Sequence, residues 1–510
     1  MHEALAPRTV PIPLRRSVPG GRPLPWLAGV GAAFVLAQLL LVVPGSGMGW
    51  DESVYTSQVS GHAPAAFFSA PRARGISFLA APVAAFTPSI TALRVYLALL
   101  SGAGLSASLW VWRDMLPARV LATAGALFAS LWITLYYGPS VMPNLWSAFG
   151  ALAATGFFVR LARDGGDRRA GVGLVLSVAV VALMRPPDGL WLGLALGAAA
   201  LCVRRWRRPG LLALLAAGFA LGSAEWIVEA YVRYGGLTAR LHRASEIQGG
   251  MGWHMAADDQ VRSLAGRTLC RPCDIPWQHP ATALWWFALP LLAVAGTLVT
   301  PWGRRRATAV VPAATAAIVA VPYLFLIDYA APRFLLPSYA LLALPVARFL
   351  WWLAADRHGR LRTAATSLVA LALAGHLAVQ YAVLSNNTAE VRASHRDFTR
   401  AAARLHQLGV RPPCVISGDH SVQLSFYTRC SSRQTGGPDA SITAAGVRAA
   451  ARSSAVTVVV PRGGRPHPVA REWRREPLAP DSSASRFHGY AVYLPASLRS
   501  SDSDQGGSPR

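Results

Sequence analysis

Lysine is missing from the 510 residues, so all 49 basic side chains are arginine. Charge of either sign is scarce, at 14% of residues, against about 25% in a typical soluble domain. Length alone would allow three or four soluble domains. The charge scarcity excludes them, because such a chain has too little polar surface to coat several globules. Acids number only 24, leaving a formal net charge of +25. The lack of lysine fits GC-rich coding, which favours Arg and Ala, and carries no function. Internal repeats at solenoid periods are absent, and so is an inverted repeat of the transporter kind. What the chain does have is apolar: 53% hydrophobic residues and a mean hydropathy of +0.35.

Crossing a bilayer takes about 20 apolar residues. Eleven runs approach that length: 25–44, 91–112, 117–137, 140–160, 170–184, 189–203, 210–229, 281–300, 307–327, 334–354 and 363–384. Residues 170–203 divide at Arg185-Pro186-Pro187-Asp188, where two prolines stop helix hydrogen bonding and two charges sit badly in lipid. Arginine placement then orients the chain. One alternate set of connections holds 21 Arg against five acids, or +16, and the other, up to residue 384, holds 11 against 10, or +1. By the positive-inside rule the N-terminus is cytoplasmic and residues 385–510, with +8, are outside. The basic excess is therefore mainly a topology signal, and a nucleic-acid partner is excluded. Arg15-Arg16 precedes the first run without a small-residue cleavage site, so that helix is read as uncleaved. The localisation expected is the inner (plasma) membrane.

Four of the five cysteines fall outside, where disulfides persist. Cys414 and Cys430 would close a loop. Cys270 and Cys273 have C-x-x-C spacing, which admits a redox motif or half a metal site. A local staple is preferred, since no thioredoxin-like strand and helix precede them. Residues 1–24 read as a flexible cytoplasmic segment, 25–384 as the membrane domain, 385–495 as a small outer α/β domain and 496–510 as a disordered tail. In the outer domain, helices are expected over 395–408 and 441–452, and strands over 413–417, 455–460 and 490–494. The long outer loops are 45–90, with an interfacial helix over 76–87, and 230–280.

Asp51 and Glu52 stand just beyond the first span. Paired carboxylates at a membrane face are costly unless solvated, paired or bound to a cation. The pair could act as a base on a hydroxyl or hold a divalent cation such as Mg or Mn; an ordinary exposed loop pair is the plainer reading. Arg72 and Arg74 follow, with the bidentate fork that suits phosphate, or else they snorkel to headgroups. Asp328 and Arg333 share one short outer turn and Arg185 and Asp188 another, where local ion pairs are the alternative. Glu225 and Glu229 lie near the outer end of their span, His62 and Tyr55 in the first loop. Acids and arginines gathered close to lipid suit transfer from a lipid phosphate. That leaving group needs no proton, only a base or metal near the incoming hydroxyl and cations over the phosphate.

Trp50-Asp51-Glu52-Ser53-Val54-Tyr55, Pro71–Gly75 before Ile76–Pro88, and Arg333-Phe334-Leu335-Leu336-Pro337 together resemble the GT-C superfamily of membrane glycosyltransferases. The resemblance is to the branch of protein O-mannosyltransferases and aminoarabinose transferases (glycosyltransferase family 39 type), and covers residues 20–384 in layout. It implies a polytopic helical protein of about 11 transmembrane helices with the small extracytoplasmic α/β C-terminal domain. It also implies an inverting transferase that moves a sugar from a polyprenyl-phosphate donor to a glycan, lipid or protein acceptor. Asp51 would be the base and Glu52 would orient the acceptor or help hold a cation. Arg72, Arg74 and Arg333 would hold the phosphate. Asp328, Asp188, Arg185, His62 and Tyr55 are second-tier candidates. Two departures stand out: Asn144 follows Met142-Pro143 where relatives often carry an acid, and arginine must replace their phosphate-side lysine. Rival readings are a flippase or transporter of a lipid-linked envelope precursor and a non-catalytic envelope-assembly scaffold.

Overall fold

A computed structural model describes residues 23–274, 276–303, 305–355, 359–479, 483–496 and Leu498. The segments 1–24 and 496–510, expected to be unstructured, lie outside these apart from Pro23, Leu24, Ala496 and Leu498. The apolar runs fold as helices, as their composition requires in a medium where each backbone group must be satisfied within its own segment. α1 (Pro23–Leu41) leads into the short α2 (Trp50–Ser57) and α3 (Gly75–Ala84). There follow α4 (Ile90–Trp110), α5 (Ala118–Ala129), α6 (Trp132–Tyr137), α7 (Asn144–Arg163), α8 (Arg168–Met184), α9 (Pro186–Cys202) and α10 (Pro209–Arg233). After α11 (Leu237–Ile247) and α12 (Ala257–Ser263) come α13 (Leu284–Leu298), α14 (Ala307–Phe325), α15 (Leu336–Ala355) and α16 (Gly359–Gln407).

Eight of the described helices are long and apolar enough to cross a membrane: α1, α4, α7, α10 and α13 to α16. The other three runs fold as α8 and α9, of 17 residues each, and as the pair α5 and α6, broken at Ser130-Leu131. Seventeen residues rise about 26 Å, slightly less than the ~30 Å hydrocarbon core. The break between α8 and α9 is one residue long, because Pro186 is suited to the first position of a new helix, where its missing N–H costs nothing. α7 is buried along nearly its whole length and packs against α4, α8 and α15. Small residues allow this approach: a β-carbon on Gly150 would lie 2.6 Å from the Val181 side chain of α8.

α16 runs unbroken through residues 384 and 385 for 49 residues, about 73 Å. It joins the bundle to a five-stranded sheet. The elements there are β1 (Cys414–Gly418), α17 (Ser421–Thr428), β2 (Ser431–Ser432), α18 (Ala444–Ser453), β3 (Ala455–Val460), β4 (Arg474–Pro477) and β5 (Ala491–Leu494). Strand order is β2-β1-β3-β5-β4, with β1 parallel to β2 and β3, and β5 antiparallel to β3 and β4. Alternation along the strands separates two faces. Ile416, Val459 and Val492 pack with Phe398 and Leu405 of α16 and Leu424 of α17. Val456 packs on the other face with Val447 of α18 and Val469. Cys414 and Cys430 are joined, as are Cys270 and Cys273. α17, β2 and β4 have no counterpart among the sequence-based expectations. β4 is the polar edge run Arg-Arg-Glu-Pro, which carries no apolar period to read.

Candidate active site

The site grows from α2. Its first turn carries both acids, which suits the positive end of a helix. Successive helical residues point about 100° apart, so the neighbours Asp51 and Glu52 face different surroundings. Glu52 turns into the bundle and is buried. Arg94 of α4 grips both its oxygens, Nη1 to Oε1 at 2.6 Å and Nη2 to Oε2 at 2.8 Å. The backbone N–H groups of Val141 (2.8 Å) and Gly49 (3.0 Å) complete its shell. Arg94 also donates to the carbonyls of Gly47 and Pro139. Glu52 ties α2 to α4 and to the turn before α7.

Asp51 turns the other way, a third of its side chain exposed, between two arginines. Arg72 Nη2 reaches Oδ1 at 2.9 Å and Arg333 Nη2 reaches Oδ2 at 3.2 Å. Burial alone would raise the Asp51 carboxyl; Arg72 and then Arg333 outweigh it, and the group titrates below the ordinary carboxylate range. Arg333, in the 3-10 turn Pro332–Leu335, is aimed by the Thr268 carbonyl (2.6 Å) and the Tyr137 hydroxyl (3.3 Å). The Thr268 segment is itself held by reciprocal backbone bonds between Cys270 and Ala330. Arg72 lies 5.4 Å from the Tyr55 ring centroid. Arg185 is close enough to act on Asp51 and Tyr55. It pairs with Asp188 at 3.2 Å and donates to the Tyr323 hydroxyl, which in turn donates to Asp188. Arg72 Nη1 and Arg333 Nε are buried with no hydrogen-bond partner among the described residues.

The remaining sequence candidates stand apart from Asp51. Arg74 turns to Glu229 (2.6 Å) and Glu225 (3.4 Å), so it is a lock on the loop and lies away from the Arg72 cluster. Asp328 forms no ion pair with Arg333 and sits exposed beside Gly249. The His62 backbone N–H donates to the Ser60 hydroxyl (3.1 Å), and its ring Nε2 is buried with no hydrogen-bond partner among the described residues.

Several residues here were not read from sequence. Arg240 of α11 is fully buried and donates to the carbonyls of Ala70, Arg72 and Trp226 and to Glu229, which positions the Arg72 backbone. Arg94 had one available signal, a lone charge inside an apolar run, which must be paired. Asp439, on the loop between β2 and α18, is close enough to Arg72 and Asp51 for each to act on it. Burial and Asp51 raise its carboxyl against the pull of Arg72.

The C-terminal domain reaches the same helix. α17 packs on α2, and the Tyr427 hydroxyl accepts the Met48 N–H (3.1 Å) and meets His395 Nδ1 at 2.8 Å. A β-carbon on Gly47 would lie 2.5 Å from that hydroxyl, so the approach requires glycine. Tyr427→Phe removes one hydrogen bond from the segment that sets Asp51. The expected outcome is a loss of about 1 kcal/mol of stability, read as a lower thermal midpoint with the fold retained.

The oxygens of Asp51 and Glu52 already meet cationic or N–H donors. Glu52 is saturated by Arg94 and two N–H groups, and Asp51 faces two arginines. Among the described residues no group of three or more His, Cys, Asp or Glu side chains could hold a metal.

No protein-family model matches the sequence, and a search among curated proteins finds no significant match. Solved structures do match in fold. ArnT from Cupriavidus metallidurans bound to undecaprenyl phosphate superposes with a TM-score of 0.65 at 14% identity, covering 93% of this chain and 99% of that one. The same protein in its apo state gives 0.60 at 13%, covering 93% and 98%. The Archaeoglobus fulgidus oligosaccharyltransferase in complex with Zn and sulfate gives 0.50 at 14%, covering 79% and 62%. The chain therefore shares the fold of ArnT.

Proposed function

We propose that the protein is a glycosyltransferase of the plasma membrane. It takes a sugar from a polyprenyl-phosphate donor and passes it to an acceptor hydroxyl at the extracytoplasmic face, with inversion at the anomeric carbon. The observation that carries this reading is Asp51 held between Arg72 and Arg333, each with a buried donor still unpaired. Buried guanidinium donors without partners are costly and suit a phosphate. ArnT, whose fold this chain shares, was solved with undecaprenyl phosphate. The arginine partition supports a cytoplasmic N-terminus, with the C-terminal domain and Asp51 outside.

In this reading the donor phosphate takes guanidinium N–H groups from Asp51. Freed of part of that pairing, Asp51 becomes the stronger base. It accepts the proton of the acceptor hydroxyl as that oxygen bonds to the anomeric carbon. The bond from that carbon to the phosphate oxygen breaks on the opposite side, and its electron pair stays on the phosphate. Arg72, Arg333 and Arg185 hold the charge that develops there.

The test is transfer by reconstituted protein given labelled polyprenyl-phosphate sugars. No transfer from any of a panel of such donors would overturn the proposal and favour a flippase. The pH profile carries a second prediction. The acid limb of kcat/KM reports the free enzyme, so in the wild type it lies below the ordinary Asp value of about 3.9. Arg72 is the strongest influence lowering Asp51, so Arg72→Gln is expected to move that limb upward. An unmoved limb would separate the limb from Asp51.

A further inference from the structure

The C-terminal domain turns one face of its sheet toward the bundle and one away from it. α16 and α17 cover the first face, and α17 rests on α2. α18, the 3-10 turn Pro468–Ala470 and Trp473 cover the second. Residues 441–479, which build that second face and its edge strand, contain seven Arg and two Glu. Arg448 and Arg452 lie four residues apart on α18, so they share one helix face. Arg471 follows the 3-10 turn that packs on α18. These three, with Arg462, Arg465 and Arg475, are exposed, and none of the six makes an ion pair among the described residues. Of the two acids, Glu476 is taken by Arg474 and Arg404.

A cluster of like charges with no ion-pair partner among the described residues repels itself, so it costs stability unless a partner of opposite sign draws on it. Topology does not account for it, because the positive-inside rule does not govern a long exported segment. It lies on the far side of the sheet from α16 and α17, the helices that link the domain to the bundle. We propose that this face is a docking surface for a polyanionic acceptor polymer, one carrying phosphate, sulfate or carboxylate groups along its length. The proposal rests on the glycosyltransferase reading for the word acceptor, and it makes the substrate class of that reading anionic.

The test uses the full chain in nanodiscs of neutral phosphatidylcholine, with fluorescent long-chain polyphosphate as the probe. Saturable binding is expected, weakening steeply with salt as counterion release requires. Arg448→Gln, Arg452→Gln and Arg471→Gln together are expected to weaken it at least tenfold. The equally discharged control Arg168→Gln, Arg169→Gln and Arg205→Gln, at the opposite end of the bundle, is expected to leave it unchanged. No binding by the wild type, or equal losses in the two triple variants, would overturn the proposal. Unchanged polyphosphate affinity in the first triple variant, with weaker tethering of its proteoliposomes to anionic vesicles, would assign the face to lipid instead. None of these readouts needs turnover, so a failed transfer assay and a failed docking surface are told apart.

Discussion

Asp51→Asn is expected to lower kcat for sugar transfer by about 10²–10⁴-fold, the range that a positioned general base contributes. Asn is close in size but keeps one acceptor oxygen, which serves Arg72 or Arg333 and not both, because its NH2 replaces the other oxygen with a donor. The variant removes the proton acceptor and also the negative charge that competes with a lipid phosphate for the same two guanidinium groups. Affinity for a polyprenyl phosphate is therefore expected to be equal or tighter while turnover collapses. Single-turnover transfer with binding by competition would measure both. Near wild-type turnover would sink the base assignment. Lost turnover with weakened phosphate binding would instead make Asp51 the residue that assembles the arginines.

The neighbouring carboxylate is expected to fail differently. Glu52→Gln leaves Arg94 a buried cation without its counter-charge, and breaking a buried pair in this way costs about 3–5 kcal/mol. Arg94 is 4% exposed and holds the carbonyls of Gly47 and Pro139 as well, so it cannot turn out to solvent without giving those up. A large fall in thermal midpoint and in yield of folded protein is expected. The double variant Glu52→Gln, Arg94→Met should be less destabilised than additivity predicts, since it removes the orphaned charge. If Glu52→Gln kept wild-type stability and lost only turnover, Glu52 would belong with the chemistry.

The two adjacent acids show how far sequence reading reaches. Their place just beyond the first span marked a site. Their roles could not be told apart in a linear chain, because what separates them is a rotation of about 100° on α2 and a partner 42 residues away in Arg94. Arg72 and Arg74 divide in the same way. One points to Asp51 and the other to Glu229, 155 residues on.

Composition determined the membrane class, because apolar runs of bilayer length leave the backbone one economical solution, the helix. The imbalance of arginine between alternate connections determined the orientation proposed here, because a short basic loop resists translocation. These are local or summed properties, readable without knowing which residues meet. The composition of the site depended on contacts across the chain. Arg185 and Arg333 come to Asp51 only when α9 and the turn before α15 are packed beside α2. Arg240 reaches the Arg72 carbonyl from 168 residues away. Tyr427 comes from a separate sheet domain to the backbone of Met48, 379 residues away. Side-chain charge and spacing show which groups need partners. Which partners they receive is set by the tertiary fold, because a buried charge is satisfied by whatever the packing places within about 3 Å of it.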